Sequence, residues 1–299
     1  MTLLDLQGRL AAFVAEDGDR CVRAGYALRP ELTGLAYFDA PLAACARAND
    51  PLFAQFREDP KVIGSFFRLP SEWLAGARSV ISIFFPFARG IHDSNREGLQ
   101  RPSDEWLHSR IEGQSFLEKA LRQVQLWLEE AGARAAIPCL SPEFKISTAN
   151  KENQDGWPRY VSNWSERHVA YIAGLGTFGL SKHIITSKGV CGRFGSVITD
   201  AELAPTPRPY TSPFEYCTSC NACIRRCPVD AIAPEGKDNR ICSAFLDGVK
   251  ERFAPRYGCG KCQISVPCEW GRPRAPQPVI FLPAPRPATK ASTLSVVRL

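Results

Sequence analysis

Apolar residues recur at helical spacing through TLLDLQGRLAAFVAEDG near the N-terminus, which predicts a helix there. PLAACARANDPLFAQF, residues 41–56, reads as one or two short helices. RSVISIFFPFA, residues 78–88, is an apolar run rich in β-branched and aromatic side chains, the composition of a buried strand. In QSFLEKALRQVQLWLEEAG, residues 114–132, Leu117, Leu121, Val124 and Leu128 fall on one helical face, and Gly132 supplies the stop. ARAAIPCL follows as a second buried strand. Residues 1–205 thus alternate helices with strands, and no internal repeat appears outside the cysteine segment.

AGLGTFGL, residues 173–180, contains Gly174-x-Gly176-x-x-Gly179, the spacing of a dinucleotide-binding loop, and Asp200 follows at about the required distance. Its surroundings argue against that role. NWSERHVAYIA, just before the glycines, has Asn163 and Glu166 at capping-box spacing, with Val169 and Ile172 on one face, so it predicts a helix. After them, SKHIITSKGVCGRFGSVITD places two β-rich runs on either side of Lys188-Gly189, which predicts a hairpin ending at Asp200. Helix, glycines, strand is the reverse of the Rossmann order. The glycines are instead expected to let the backbone approach a large flat group or turn a tight corner.

With 299 residues, 44% hydrophobic and 23% charged, the chain has the composition of a globular protein of two domains, or of one with an appendage. No apolar run is long enough to span a membrane, and no membrane partner is expected. The N-terminus lacks a basic n-region and a twin-arginine pair and turns acidic where a cleavage site would fall, so the expected location is cytoplasmic. The net charge of +6 suggests an anionic partner until its distribution is read. Arg272, Arg274, Arg286, Lys290 and Arg298 lie in residues 271–299 with no acid among them, leaving about +1 elsewhere. Six prolines in that stretch mark it as a solvated, disordered tail.

Twelve cysteines change the picture, because eight crowd into residues 217–268. CTSCNACIRRCPVDAI gives Cys217-x2-Cys220-x2-Cys223-x3-Cys227-Pro228, the bacterial ferredoxin run for [4Fe–4S] clusters, whose fourth cysteine ligates the other cluster. Structural zinc favours two separated pairs and fits this spacing less well. NRICSAFLDG and YGCGKCQISVPCEW supply Cys242, Cys259, Cys262 and Cys268. The crossover rule assigns Cys217, Cys220, Cys223 and Cys268 to one cluster and Cys227, Cys242, Cys259 and Cys262 to the other. Nearby arginines and lysines, among them Arg225, Arg226, Arg252, Arg256 and Lys261, partly neutralise the clusters. Cys21, Cys45, Cys139 and Cys191 are scattered and are expected to be ordinary thiols. Of these, Cys191, near the glycine loop, is the first to test for reactivity.

ERHVAYIAGLGTFGLSKHIIT, then FGSVITD, then the two-cluster segment, together with EWLAGARSVISIFFPFA, resembles the epoxyqueuosine reductases and the related reductive dehalogenases across roughly residues 60–270. The resemblance implies an α+β protein: a nitroreductase-like α/β cofactor domain (1–205) followed by a ferredoxin-like domain with two [4Fe–4S] clusters (206–270) and the basic tail (271–299). It implies that electrons from a low-potential donor such as ferredoxin or flavodoxin pass through the clusters to a cobalamin, which performs a two-electron reduction. Gly174, Gly176 and Gly179 would then belong to the corrinoid bed. No Asp-x-His-x-x-Gly motif occurs, so the corrinoid would carry no histidine ligand. An α/β domain of this kind also admits FMN, and a two-cluster electron carrier without catalysis is the alternative from another class.

Three departures bear on function. The second cysteine run is altered, with Cys262-x5-Cys268 and Pro267 before rather than after the last cysteine. The longer family members carry a helical-repeat C-terminal domain that helps grip tRNA; the proline-rich tail in its place makes tRNA a doubtful partner. Where those reductases have an acidic residue 14 positions before the first loop glycine, Tyr160 stands here. Related dehalogenases use a tyrosine with a basic neighbour, so Tyr160 is the expected proton donor, with Arg159 or Arg167 beside it and Asp155 or Glu166 as the alternative acids.

Overall fold

The computed structural model describes residues 1–147 and 160–274. In chain order come α1 (Leu3–Glu16), β1 (Leu42–Arg47), α2 (Pro51–Glu58), a one-turn α3 (Pro70–Trp73), β2 (Ser79–Pro86), α4 (Arg89–Ser94) and α5 (Asp104–Glu130). Then follow β3 (Ala135–Ala136), β4 (Ile146–Ser147), β5 (Val161–Ser162), α6 (Glu166–Ile172), β6 (Gly176–Phe178), β7 (Ile184–Thr186) and β8 (Gly192–Thr199). The cysteine segment adds α7 (Ala222–Arg225), β9 (Ile232–Ala233), β10 (Gly236–Lys237) and α8 (Asn239–Phe253). It is a mixed helix–strand fold.

The central sheet has the order β1-β2-β8-β3, and every neighbouring pair is antiparallel. All eight residues of β2 are buried, as its unbroken apolar run requires. The strand feeds two cores, one on each face of the sheet. Ile81, Ile83 and Phe85 join the core under α1 and α5, and Val80 and Phe84 join the one with Phe53, Trp164 and α6. Each such fully buried side chain stabilises the fold by about 1.5–3 kcal/mol. Leu117, Leu121, Val124 and Leu128 all point from α5 into the first core. Residue 195 must be glycine for that contact, since a Cβ there would sit 2.7 Å from Leu121 Cδ1.

Four local expectations are corrected. ARAAIPCL, residues 133–140, is not a buried strand: only Ala135–Ala136 pairs, half-buried at the sheet edge against β8, and Pro138, which has no N–H to give a ladder, opens a 3-10 turn through Leu140. Residues 42–47 are a strand, not a helix: small alanines suit either state, and pairing Leu42 to Phe84 through Arg47 to Ser79 decides it. The helix of that stretch starts only at Pro51, where the Asp50 carboxylate accepts from Leu52 N at 3.0 Å. Asn163 does not cap α6. Its side chain accepts from Lys145 N and donates to the Glu143 carbonyl, both at 2.9 Å, and the N-cap is Ser165 without a side-chain bond. The runs around Lys188-Gly189 flank a tight turn, Thr186 N to Gly189 O at 3.0 Å, but are not one hairpin. β7 pairs back with β6, whereas β8 belongs to the central sheet.

The remaining expectations for these stretches match the structure. α6 leads into the glycines and β6 leaves them, β8 ends at Thr199, and Asp200 is taken up by Arg134 at 2.8 Å. Among the described residues no helix is long and apolar enough to cross a membrane. The tail beyond residue 274 lies outside the described residues.

The cysteine segment packs on the sheet domain rather than hanging from it. Lys261, fully buried, donates to the Asn95 and Glu97 carbonyls at 2.9 Å each, and Asn95 Nδ2 donates to the Cys259 carbonyl at 2.9 Å. Glu269, 3% exposed, is held by His92 at 2.8 Å and by Arg96 at 2.8 Å. A buried carboxylate needs such partners.

Candidate redox site

Cysteine loops need backbone in the left-handed region, and this segment has it at Ser219, Asn221, Asp230 and Gly260. Gly260 is fixed by space as well: a Cβ would lie 1.9 Å from Trp106 Cζ2. Asp238 caps α8 by accepting from Arg240 N at 2.8 Å, which orients the helix carrying Cys242.

The thiols fall into two groups that act on one another. Burial first, then Cys220, Cys223 and Cys217, push the Cys268 thiol up to about 12. Burial pushes Cys223 up to about 11, with Cys262, Cys217 and Cys220 adding to it. In the second group burial raises Cys259 to about 12, helped by Cys262 and Cys242, and Cys262 is raised by burial and then by Cys242 and Cys227. Cys220 is the exposed member of the first group. The Cys227 sulfur accepts from Ala231 N at 3.2 Å. Among the described residues no His, Cys, Asp or Glu side chains converge as a single metal ion would require.

Cys227, Cys242, Cys259 and Cys262 line one side of a cavity of about 490 Å³, within the range of small-molecule and cofactor sites. Phe87, Trp106, Phe144 and Phe194 give it an apolar lining; Tyr160, Glu166, Arg167, His183 and Arg193 give it polar groups. Both Glu166 carboxyl oxygens are buried without a hydrogen-bond partner, as are Arg193 Nε and Gln263 Oε1. Burial pushes Glu166 up to about 7. The Ser196 hydroxyl opposes this slightly, but it makes no well-formed bond to the carboxyl and already accepts from Trp164 Nε1 at 2.8 Å. Burial lowers Arg193 to about 9, with Arg110 next in effect. Arg167 is exposed, yet burial is the first cause lowering its pKa. The two agree if the guanidinium lies deep and meets water only through the cavity.

Tyr160 lines this cavity with φ +59°, an unusual conformation for a non-glycine residue. Arg167, one of the expected basic neighbours, lines the same cavity. Arg159 and Asp155 lie outside the described residues. Gly174, Gly176 and Gly179 do not line the cavity; at Gly174 and Gly176 the missing side chain admits the protein's own backbone, a Cβ on Gly176 lying 2.0 Å from the Ile185 carbonyl oxygen, while Gly179 faces the Ile185 side chain. Of the scattered cysteines, Cys45 and Cys191 are fully buried, and burial raises Cys191 well above the ordinary thiol value, which makes it unreactive. Sequence reasoning missed Arg193, Lys237 and Gln263, which carry no motif.

Comparison with known proteins places residues 213–233 in the class of 4Fe–4S binding domains. The particular likeness is to epoxyqueuosine reductase: the Listeria monocytogenes protein of that name is 31% identical over 118 residues, 36% of this chain and 30% of the relative. The match therefore spans less than a third of that relative's length. A solved epoxyqueuosine reductase with a tRNA-Tyr epoxyqueuosine-modified stem loop is 19% identical, covers 81% of this chain and 64% of its own, and has a TM-score of 0.47. A catabolic reductive dehalogenase is 12% identical, covers 78% and 30%, and has a TM-score of 0.45. The doubt over tRNA as a partner is thereby overturned, since a matched protein of this kind is itself solved with a tRNA stem loop.

Proposed function

We propose that this chain is an iron–sulfur reductase of the epoxyqueuosine-reductase kind. It would hold one [4Fe–4S] cluster on Cys217, Cys220, Cys223 and Cys268 and another on Cys227, Cys242, Cys259 and Cys262. The observation that carries the reading is that the second set forms part of the wall of the 490 Å³ cavity while the first reaches the surface at Cys220. Electrons entering at the exposed set have a route inward, because Cys223 of the first set lies within electrostatic reach of Cys262 of the second.

Clusters supply one-electron transfer, and a cobalamin in the cavity would supply a two-electron reduction. The wall suits a flat, largely apolar group with polar edges: aromatic faces, with the unpartnered Glu166, Arg193 and Gln263 turned toward it. Tyr160, on the cavity wall, would hold the proton delivered to substrate. By likeness to its relatives, the substrate is a modified nucleoside carried on tRNA. In this reading residues 1–205 make the cofactor domain and 206–270 the cluster domain. No observation favours flavin.

Anaerobic reconstitution tests this. About eight irons per chain are expected, with uptake of cobalamin and a cob(II)alamin signal on partial reduction. Iron without corrinoid under saturating cobalamin would leave only the two-cluster electron carrier.

A further inference from the structure

The two cysteine sets have different electrostatic surroundings. On Cys223 and Cys268 the largest charge effects come from other cysteines. Around the second set, cations act as well: Arg167 on Cys262 and Cys242, Lys237 on Cys262, and Lys261 on Cys259. Arg167 and Lys237 line the same cavity as these cysteines, and Arg167 Nη1 is fixed by donating to the Lys182 carbonyl at 2.7 Å. Lys261 is tied down by two backbone carbonyls and fully buried. The acids near this wall do not cancel it: Asp238 is engaged by Arg240 at 3.0 Å, and burial favours the neutral form of Glu166.

A cluster becomes more negative on reduction, so fixed positive charge beside it favours the reduced form and raises its potential. Screening by water and salt is weak around Lys261, which is fully buried, while Arg167 and Lys237 act through the cavity they share with the cysteines. We propose that Arg167 and Lys237 are positioning charges that hold the cavity-side cluster at a higher reduction potential than the surface-side cluster. They would thereby bias one-electron transfer toward the cavity. This rests on the two-cluster reading above.

The test is an EPR-monitored redox titration of the anaerobically reconstituted full chain, alongside Arg167→Gln, Arg167→Lys and Lys237→Gln. Wild type is expected to show two clusters with separate midpoints. In Arg167→Gln the higher midpoint alone should fall, by about tenfold in the one-electron equilibrium (roughly 59 mV), and Arg167→Lys should restore it. Should Arg167→Gln load iron poorly, Lys237→Gln, on a different element, must lower the same midpoint. Two clusters whose midpoints stay put in both glutamine variants, or move together, would overturn the proposal while leaving the two-cluster reading intact. About four irons per chain in wild type would remove that reading and the proposal with it.

Discussion

Glu166 gives the most direct test of the cavity's character. Its carboxyl is buried, unpartnered and pushed up from 4.5 to about 7. A carboxyl raised in the folded state binds its proton more tightly there than in the unfolded chain, so stability falls as pH rises from the unfolded value to the folded one. At about 1.36 kcal/mol per pH unit, the loss between pH 4.5 and 7 reaches about 3 kcal/mol; water in the cavity reduces this to about 2 kcal/mol. Glu166→Gln imitates the protonated group and has nothing to titrate. Its melting temperature should match wild type near pH 4.5 and exceed it by about 4–6 °C at pH 8. Parallel thermal scans of both proteins, cluster-loaded under anaerobic conditions at one scan rate, measure the difference. A difference that stays flat from pH 4.5 to 8 would refute the reasoning, and the carboxyl would have to be an ordinary ionised group.

Other consequences are as accessible. Cys220→Ser should cost about half the iron and one EPR signal, the second set sharing no ligand with the first; full iron content would refute the assignment. Tyr160→Phe should lower turnover by about 100-fold or more with iron and corrinoid content unchanged, and unaltered turnover would eliminate the phenol as donor. Gly260→Ala meets Trp106 head on at φ +66°. It should destabilise the chain by about 3 kcal/mol or more and empty the second cluster, so a variant with normal melting temperature and iron would contradict the packing described.

Where the sequence was legible, one physical signal dominated. The run 79–86 could only be a strand buried on both faces, and the apolar face of α5 could only meet a core. Cysteine spacing singled out the 4Fe–4S segment at residues 213–233 because a cubane constrains its loops tightly. Legibility ended where tertiary contacts decide. Residues 42–47 became a strand through their pairing with β2, and Asn163 found bonds to 143–145 that outcompeted a cap. The glycine loop was read as room for a large flat group or a tight corner, and at Gly176 that room is taken by the Ile185 backbone. Nothing local announces Arg193 or Lys237 as cavity residues; only the fold brings them there.

The hold on Cys268 has a consequence for how the protein matures. Its carbonyl accepts from Val190 N at 3.0 Å, just before β8, and the neighbouring Glu269 backbone presses against Gly189. Cys268 is also the last of the eight cysteines to leave the ribosome. On the two-cluster reading, three thiols of the surface-side set emerge well before the fourth, which is fastened to the turn ahead of β8. Iron delivered early would meet an open three-thiol site. Iron delivered after the sheet has closed meets a complete one, so the order of assembly is written into where the last cysteine is fastened.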